Sequence, residues 1–244
     1  MLNIELKSDL VLSQVGLGCW QFSKGIGRVN KRCKVLTDDE IFDIISTAFQ
    51  LGINWFDTAE MYGWGASERV LSKFLLALNP SKYYIMTKWF PSFRTAKNII
   101  KTIDERLEAL GGLKIDLYQI HYKPHFSSVV AQMEAMAELV QMGKIKYIGV
   151  SNYSAKDLYL AHNTLNKLGL PLISNQIYYN KLHRQPEIDR TLDIAKDLGI
   201  AILAWSPTEG GKIKDGVKWL IDQGAFPIVG VSKVSQLIEN LQGI

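Results

Sequence analysis

Short apolar runs alternate along this chain with longer stretches in which apolar residues recur at helical spacing. Eight runs predict strands: Val15–Trp20, Ile53–Asp57, Tyr83–Lys88, Asp116–Tyr122, Lys146–Ser151, Leu172–Ile177, Ile200–Ser206 and Pro227–Val231. Residues 2–12 alternate loosely and predict a hairpin ahead of the first strand. Each apolar run is followed by a segment with the pattern of a helix.

The first helix has the clearest start signal. Thr37 and Glu40 form a capping-box pattern, Ile41 and Ile44 begin an apolar stripe, and Gly52 marks the end. The later helices are predicted at Ser67–Leu78, Thr95–Leu110, Ser128–Met142, Ser154–Leu168, Pro186–Leu198 and Ile213–Gln223, with a short one from Lys233. Eight strand–helix units predict the α/β class and a parallel sheet closed as a (β/α)₈ TIM barrel, in a single domain over residues 1–244. An open doubly wound sheet is the alternative, but no GxGxxG turn follows the first strand.

The composition limits the partners and the cellular compartment that we expect for this protein. The chain has 244 residues and a net charge of +4, with no dense basic run, so nucleic acid is not the expected partner. Its two cysteines, Cys19 and Cys33, have neither metal-site nor disulfide-framework spacing, which favours a reducing compartment. No signal-peptide pattern or membrane-length apolar run is present. We therefore expect a cytoplasmic protein that binds no membrane, with a monomer as the default.

Polar and aromatic residues collect where the predicted strands end, and in a parallel barrel those carboxyl ends surround the functional site. In chain order they are Trp20, Asp57, Lys88, His121, Ser151 with Asn152, Gln176, Trp205 with Ser206, and Ser232 with Lys233. Any one of them could be an ordinary loop residue. The whole set predicts a site at this end of the barrel.

Four residues fit the reduction of a carbonyl group. An aldehyde or ketone that accepts a hydride needs a proton on its oxygen, and Tyr62 is a candidate acid. Because a phenol is a weak acid, we expect the ammonium of Lys88 to lower its pKa. Asp57 would pair with Lys88, and His121 would hydrogen-bond the substrate oxygen.

The same residues lie in motifs that resemble the aldo-keto reductase family over nearly the whole chain. The motifs are GLGCWQF at 16–22, GINWFDTAEMYGWGASE at 52–68, TKW at 87–89, DLYQIHYKP at 116–124, GKIKYIGVSNYS at 143–154, NQIYYN at 175–180, AWSP at 204–207 and PIVGVSK at 227–233. The resemblance implies a TIM barrel that binds NADPH without a Rossmann fold. It also implies that Tyr62 is the proton donor and that Lys88, Asp57 and His121 assist it.

The resemblance further implies a cofactor site. Ser151, Asn152 and Gln176 match residues that bind the nicotinamide amide, and Trp205 matches the aromatic residue that stacks on its ring. Further matching positions are Trp20, Asp57, Ser206, Pro207, Thr208 and Gly230 along the cofactor, Ser232 and Lys233 at the 2′-phosphate, and Gln236, Glu239 and Asn240 at the adenosine. Gln236 stands where many members have an arginine, so NADH is an alternative cofactor.

Two departures from the family concern the cover of the site. The connection after the seventh barrel strand is short, TEGGKIKDG at 208–216, and the chain ends at Ile244, before the usual C-terminal loop. We therefore expect an open, shallow substrate site bounded by Trp20, Trp64 and Trp89, although a tryptophan is as often a packing residue.

Two classes of function remain from the sequence. The first is an NADPH-dependent oxidoreductase that reduces aldehydes or ketones to alcohols. The second is a non-catalytic NADP(H)-binding regulatory subunit or redox sensor, as in the channel-associated branch of the family. The set around Tyr62 favours the enzyme, since a pure binder needs no proton donor. A metal-dependent barrel hydrolase is a distant third, because the strand ends lack a His/Asp ligand cluster, and no metal site is predicted.

Overall fold

The computed structural model describes residues 3–26, 34–123 and 126–244 and confirms the predicted barrel. A hairpin comes first, formed by β1 (Asn3–Lys7) and β2 (Leu10–Ser13). The barrel strands are β3 (Gly16–Gly18), β4 (Trp55–Asp57), β5 (Tyr84–Trp89), β6 (Ile115–Ile120), β7 (Ile145–Ser151), β8 (Leu172–Tyr178), β9 (Ala201–Trp205) and β10 (Phe226–Gly230). They are parallel and pair in chain order, and β10 closes the barrel against β3.

Helices surround the barrel, as the periodicity predicts. They are α1 (Asp38–Gln50), α2 (Ala66–Leu78), α3 (Lys97–Ala109), α4 (Val129–Gln141), α5 (Ala155–Lys167), α6 (Gln185–Ile188), α7 (Thr191–Asp197), α8 (Gly216–Asp222) and α9 (Val234–Asn240). The capping box of α1 is present: the Thr37 hydroxyl accepts from the Glu40 N–H at 3.2 Å, and the Glu40 carboxylate accepts from the Thr37 N–H at 2.9 Å. The apolar stripe that includes Ile41 and Ile44 is buried.

Three differences between the predicted and the observed elements lie outside the β5 strand discussed below. The single helix predicted at Pro186–Leu198 is wrong: α6 and α7 are separated at Arg190, whose φ of 66° is left-handed and cannot continue a helix. The helix predicted from Ile213 begins at Gly216, where a Cβ would lie 2.0 Å from the Pro207 carbonyl oxygen. The first barrel strand ends at Gly18, and Trp20 starts a short 3₁₀ helix.

The hairpin packs across the amino end of the barrel. Leu10 and Leu12 are fully buried in one apolar cluster with Trp55, and burial of each leucine contributes about 1.5–3 kcal/mol. Gly16 is needed beside them, because a Cβ there would lie 2.4 Å from the Trp55 ring. With this end packed, the carboxyl ends of the strands are left for a site.

Two further expectations concerned membrane-spanning segments and the cysteines. No helix in the described part of the chain is long and apolar enough to cross a membrane. Cys19 is buried and forms no disulfide, and Cys33 lies outside the described residues.

Candidate active site

A buried ion pair lies at the carboxyl end of β4 and β5. The Lys88 ammonium is 2.7 Å from Asp57 Oδ2 and donates to the Thr58 carbonyl oxygen at 2.9 Å. Its third contact is Tyr62 Oη at 3.4 Å. Lys88 has no exposed surface and Asp57 is 3% exposed, so neither charge is solvated by bulk water. Two buried charges of this kind are stable only because they face each other.

Strand register brings these residues together. Asp57 is opposite Met86 across the β4–β5 pair, which leaves Lys88 just beyond the end of β4. The loop after β4 is then held to β5 by two backbone hydrogen bonds, from Thr58 N to Met86 O at 2.8 Å and from Glu60 N to Lys88 O at 3.2 Å. Tyr62 follows in this anchored loop, so its phenol comes back over the ion pair.

His121 comes directly after β6 and completes the predicted group. Its ring meets Tyr62 edge to face, with centroids 5.7 Å apart, and it is 5% exposed. Burial, together with the Lys88 charge, lowers the pKa of His121 well below its ordinary value, so the imidazole is neutral near pH 7. Its Nδ1 is buried and has no hydrogen-bond partner among the described residues.

The electrostatics of Tyr62 correct one expectation. The sequence suggested that Lys88 would lower the tyrosine pKa, whereas burial of the phenol and the Asp57 carboxylate raise the pKa of Tyr62 well above its ordinary value. The main physical reason is the burial of the phenol, and the Asp57 carboxylate, which lies 2.7 Å from the Lys88 ammonium, opposes the effect of that ammonium. Tyr62 is thus a neutral phenol, the form that can donate a proton.

Carboxamide and hydroxyl groups continue the site across β7 and β8. Gln176 donates its amide N–H to Asp57 Oδ1 at 2.7 Å, and Ser151 Oγ donates to the Gln176 carbonyl oxygen at 2.8 Å. Asn152 has a φ of 59° and donates to the His121 carbonyl oxygen at 3.2 Å. The three residues predicted to bind an amide are therefore joined to the ion pair through hydrogen bonds.

Trp205 offers a flat aromatic surface beside these amides. Its indole N–H donates to Asn152 Oδ1 at 3.4 Å. Tyr178 covers one face of the ring, stacked with centroids 4.3 Å apart at an angle of 13°. Trp205 is nevertheless only half-buried, so part of its surface remains accessible to a ligand.

The remaining predicted cofactor residues follow the last two barrel strands. Ser206, Pro207 and Thr208 directly follow β9, while Gly230 ends β10 and Ser232, Lys233, Gln236, Glu239 and Asn240 lie in or before α9. Lys233 is exposed and has no ion-pair partner among the described residues, which leaves its charge free for an anion. Gln236 Oε1 accepts from the Ser232 N–H at 2.8 Å, so this side chain is turned back onto the loop.

Three tryptophans were predicted to border a substrate, and for Trp89 that prediction is wrong. It ends β5 with no exposed surface, packs in the core between barrel and helices, and donates to Asn98 Oδ1 at 3.1 Å. Trp64 is 59% exposed beside Phe90, with ring centroids 6.3 Å apart. Trp20 is half-buried, and the residue before it, Cys19, donates its N–H to the Asp57 carbonyl oxygen at 2.8 Å.

Phe90 occupies the position expected of Trp89. Its ring centroid is 6.3 Å from that of His121. Buried Glu60 holds it in place by accepting from the Phe90 N–H at 3.0 Å and pairing with Arg94 at 2.6 Å. The sequence reasoning missed this support, because Glu60 and Arg94 are 34 residues apart with no local spacing that connects them.

Two more aromatic residues lie in the loops after β5 and β6. Phe93 is 88% exposed with a left-handed φ of 57°, and it packs on Phe126 with ring centroids 5.9 Å apart. Left-handed backbone is unfavourable for a bulky residue, so surrounding contacts must hold Phe93 in this conformation. No cluster of three or more metal-ligating side chains occurs in the described residues.

Comparisons with known proteins identify the family of this chain. The model of the Aldo/keto reductase family matches residues 14–218. A Saccharomyces cerevisiae protein with the provisional name aryl-alcohol dehydrogenase AAD16 is 30% identical, over 84% of this chain and 67% of its own length. A Schizosaccharomyces pombe protein provisionally named a voltage-gated potassium channel subunit beta is also 30% identical, over 86% of this chain and 64% of its own.

A solved structure gives the same fold. The thermostable aldo-keto reductase Tm1743, crystallised with the inhibitor epalrestat, superposes with a TM-score of 0.84 at 26% sequence identity. The match covers 99% of this chain and 93% of that one.

Proposed function

Because this chain belongs to the aldo/keto reductase family and is an NAD(P)H-dependent oxidoreductase, we propose that it reduces aldehydes or ketones to alcohols with NADPH, and that Tyr62 is the proton donor. The observation that carries the proposal is the Tyr62 phenol, neutral and 3.4 Å from the buried Lys88 ammonium. A phenol in this state is a general acid directed at the mouth of the barrel.

The donor set fits a nicotinamide cofactor. Ser151, Asn152 and Gln176 offer hydroxyl and carboxamide groups suited to an amide, and Trp205 offers an aromatic surface beside them. Lys233, without an ion-pair partner in the described chain, suits the 2′-phosphate that distinguishes NADPH from NADH. When bound, the cofactor supplies a hydride to the carbonyl carbon.

The residues of this chain supply the rest of the chemistry. Tyr62 gives its proton to the carbonyl oxygen as negative charge develops there, and the neutral His121, whose ring lies against Tyr62, donates a hydrogen bond to the same oxygen. Tyr62 is left as a phenolate, which the nearby Lys88 ammonium stabilises. Asp57 keeps that ammonium paired and in position, and a solvent proton later restores the phenol.

The preferred substrates are aromatic aldehydes. Phe90 lies beside His121 and Trp64 beside Phe90, while Phe93 and Phe126 pair in the loops after β5 and β6; flat apolar rings pack well on such surfaces. The provisional name of the yeast relative, an aryl-alcohol dehydrogenase, points the same way.

A regulatory role is the second candidate, favoured by the relative with a channel-subunit name. The experiment that separates the two follows the loss of NADPH absorbance with a panel of aromatic aldehydes, aliphatic aldehydes and ketones, alongside a direct titration of cofactor binding. We expect turnover, fastest with aromatic aldehydes. Tight NADPH binding with no turnover across the panel would favour the regulatory role instead.

A further inference from the structure

Glu209 lies in the short connection between β9 and α8 and fastens it to the end of β8. One oxygen of its carboxylate, Oε2, accepts hydrogen bonds from the Tyr178 hydroxyl and from Asn180 Nδ2, the latter at 3.1 Å. Asn180 is fully buried and donates as well to the Ser206 carbonyl oxygen at 2.9 Å. The connection is thus held at two points, Ser206 and Glu209, by the last residue of β8 and by a residue just after it.

These contacts are needed because the backbone conformation of this segment is unfavourable. Ser206 and Glu209 both have left-handed φ values, 59° and 47°. Both are unfavourable for a non-glycine residue, so the conformation persists only where surrounding contacts fix it. The contacts of Glu209 are among those that fix it.

Tyr178 connects Glu209 to the cofactor surface. Its ring lies between those of Trp205 and His183, at centroid distances of 4.3 and 4.1 Å and with small interplanar angles. Tyr178 and Trp205 are also register partners across β8 and β9, so the stack has a backbone basis. The hydrogen bond to Glu209 raises the pKa of Tyr178 and keeps the phenol protonated as the donor.

We propose that Glu209 is a positioning residue for the nicotinamide ring: it fixes Tyr178 against one face of Trp205, so that the opposite face is presented flat and in a single orientation. This inference rests on the proposed function, in which Trp205 carries the nicotinamide. Two hydrogen bonds then fix the platform, Glu209 acting through Tyr178 on one side and Asn152 on the indole N–H on the other. A site whose supporting residues are fixed loses little entropy when it binds its ligand.

The chain contains a matched control. The next tyrosine, Tyr179, donates its hydroxyl to Glu187 at 2.8 Å, but its ring packs on Trp219 outside the barrel, with centroids 5.2 Å apart. Glu187→Ala therefore removes a tyrosine–glutamate hydrogen bond without touching Trp205. The variant also removes the ion pair between Arg184 and Glu187 at 2.7 Å, which is likewise away from Trp205. Any effect shared by the two alanine variants reflects general destabilisation.

The test measures NADPH dissociation constants by quenching of tryptophan fluorescence, and single-turnover reduction rates, for wild type, Glu209→Ala, Glu209→Gln and Glu187→Ala. Glu209→Ala should weaken NADPH binding about three- to tenfold, as expected for one lost hydrogen bond, and should slow the reduction step. Glu209→Gln keeps an acceptor oxygen and should regain most of the loss. Glu187→Ala should bind NADPH like wild type.

The outcomes separate the two proposals. If wild type binds NADPH and Glu209→Ala binds it equally well, or if Glu187→Ala is equally impaired, the positioning role is overturned while the proposed function stands. If wild type binds neither NADPH nor NADH, the proposed function fails and the positioning role fails with it. Should Glu209→Ala not fold, Tyr178→Phe, which keeps the ring and loses the hydroxyl, must show the same weakened binding.

Discussion

Removing Lys88 should strongly destabilise the fold as well as the site. The ammonium makes hydrogen bonds of 2.7 Å to Asp57 and 2.9 Å to Thr58 and has no exposed surface. Lys88→Met keeps most of the apolar side chain but leaves the Asp57 carboxylate buried, with the Gln176 amide at 2.7 Å as its remaining side-chain partner. Breaking a buried pair in this way costs about 3–5 kcal/mol.

The measurement is the free energy of unfolding in urea, with two comparisons. Lys73→Met is the matched control, since Lys73 pairs with Asp38 at the surface, with side chains 60% and 45% exposed, and such pairs contribute less than about 1 kcal/mol. The double variant Asp57→Asn, Lys88→Met leaves no unpaired charge and should be more stable than Lys88→Met alone. Equal losses for Lys88→Met and Lys73→Met would refute the buried ion pair.

Three further predictions concern the site. Because the pKa of Tyr62 is raised and that of His121 is lowered, the phenol keeps its proton and the imidazole stays neutral from about pH 7 to 9. Single-turnover reduction rates should therefore be flat around pH 7, and a fall centred near pH 7 would contradict the assignment. Burial lowers the pKa of Lys88, so a fall at higher pH reports the loss of its ammonium instead. Phe93→Gly relieves a left-handed backbone, so the free energy of unfolding should stay within about 1 kcal/mol of wild type or rise. The KM for aromatic aldehydes should increase. A clear loss of stability with an unchanged KM would show that Phe93 only packs. Lys233→Met should weaken NADPH about tenfold and NADH little, as measured by binding titration, and equal losses would mean that Lys233 acts structurally.

The fold and the centre of the site were predictable because both depend on local patterns. Alternating apolar runs and helical stripes indicated the barrel, and a parallel barrel brings its strand ends to one face. Asp57 and Lys88 each lie at such an end, so their proximity followed from topology, and the register of β4 and β5 confirmed it.

The wrong prediction for Trp89 arose because the end of β5 was misjudged by one residue. Ending β5 at Lys88 made Trp89 a loop residue, whereas the strand includes Trp89. Successive strand residues point to opposite faces, so Lys88 faces the barrel interior and Trp89 faces the helices. Phe90 then takes the position at the site.

Contacts between distant loops could not be predicted at all. Glu209 and Tyr178 are 31 residues apart, and neither spacing nor composition indicates that they meet. The direction of the Tyr62 pKa shift depends in the same way on the burial of the phenol and then on its distance from the Asp57 carboxylate, and the sequence contains neither quantity.

The most direct test of the central claim is the turnover of Tyr62→Phe with an aromatic aldehyde and NADPH, measured beside its NADPH dissociation constant. Tyr147→Phe is the matched control, because that tyrosine bonds Asp9, which lies between the two strands of the hairpin at the opposite end of the barrel. We predict that Tyr62→Phe binds NADPH like wild type and turns over about 10²- to 10⁴-fold more slowly, the usual contribution of a general acid, while Tyr147→Phe keeps its activity. Turnover at the wild-type rate by Tyr62→Phe would contradict the assignment of Tyr62 as the proton donor.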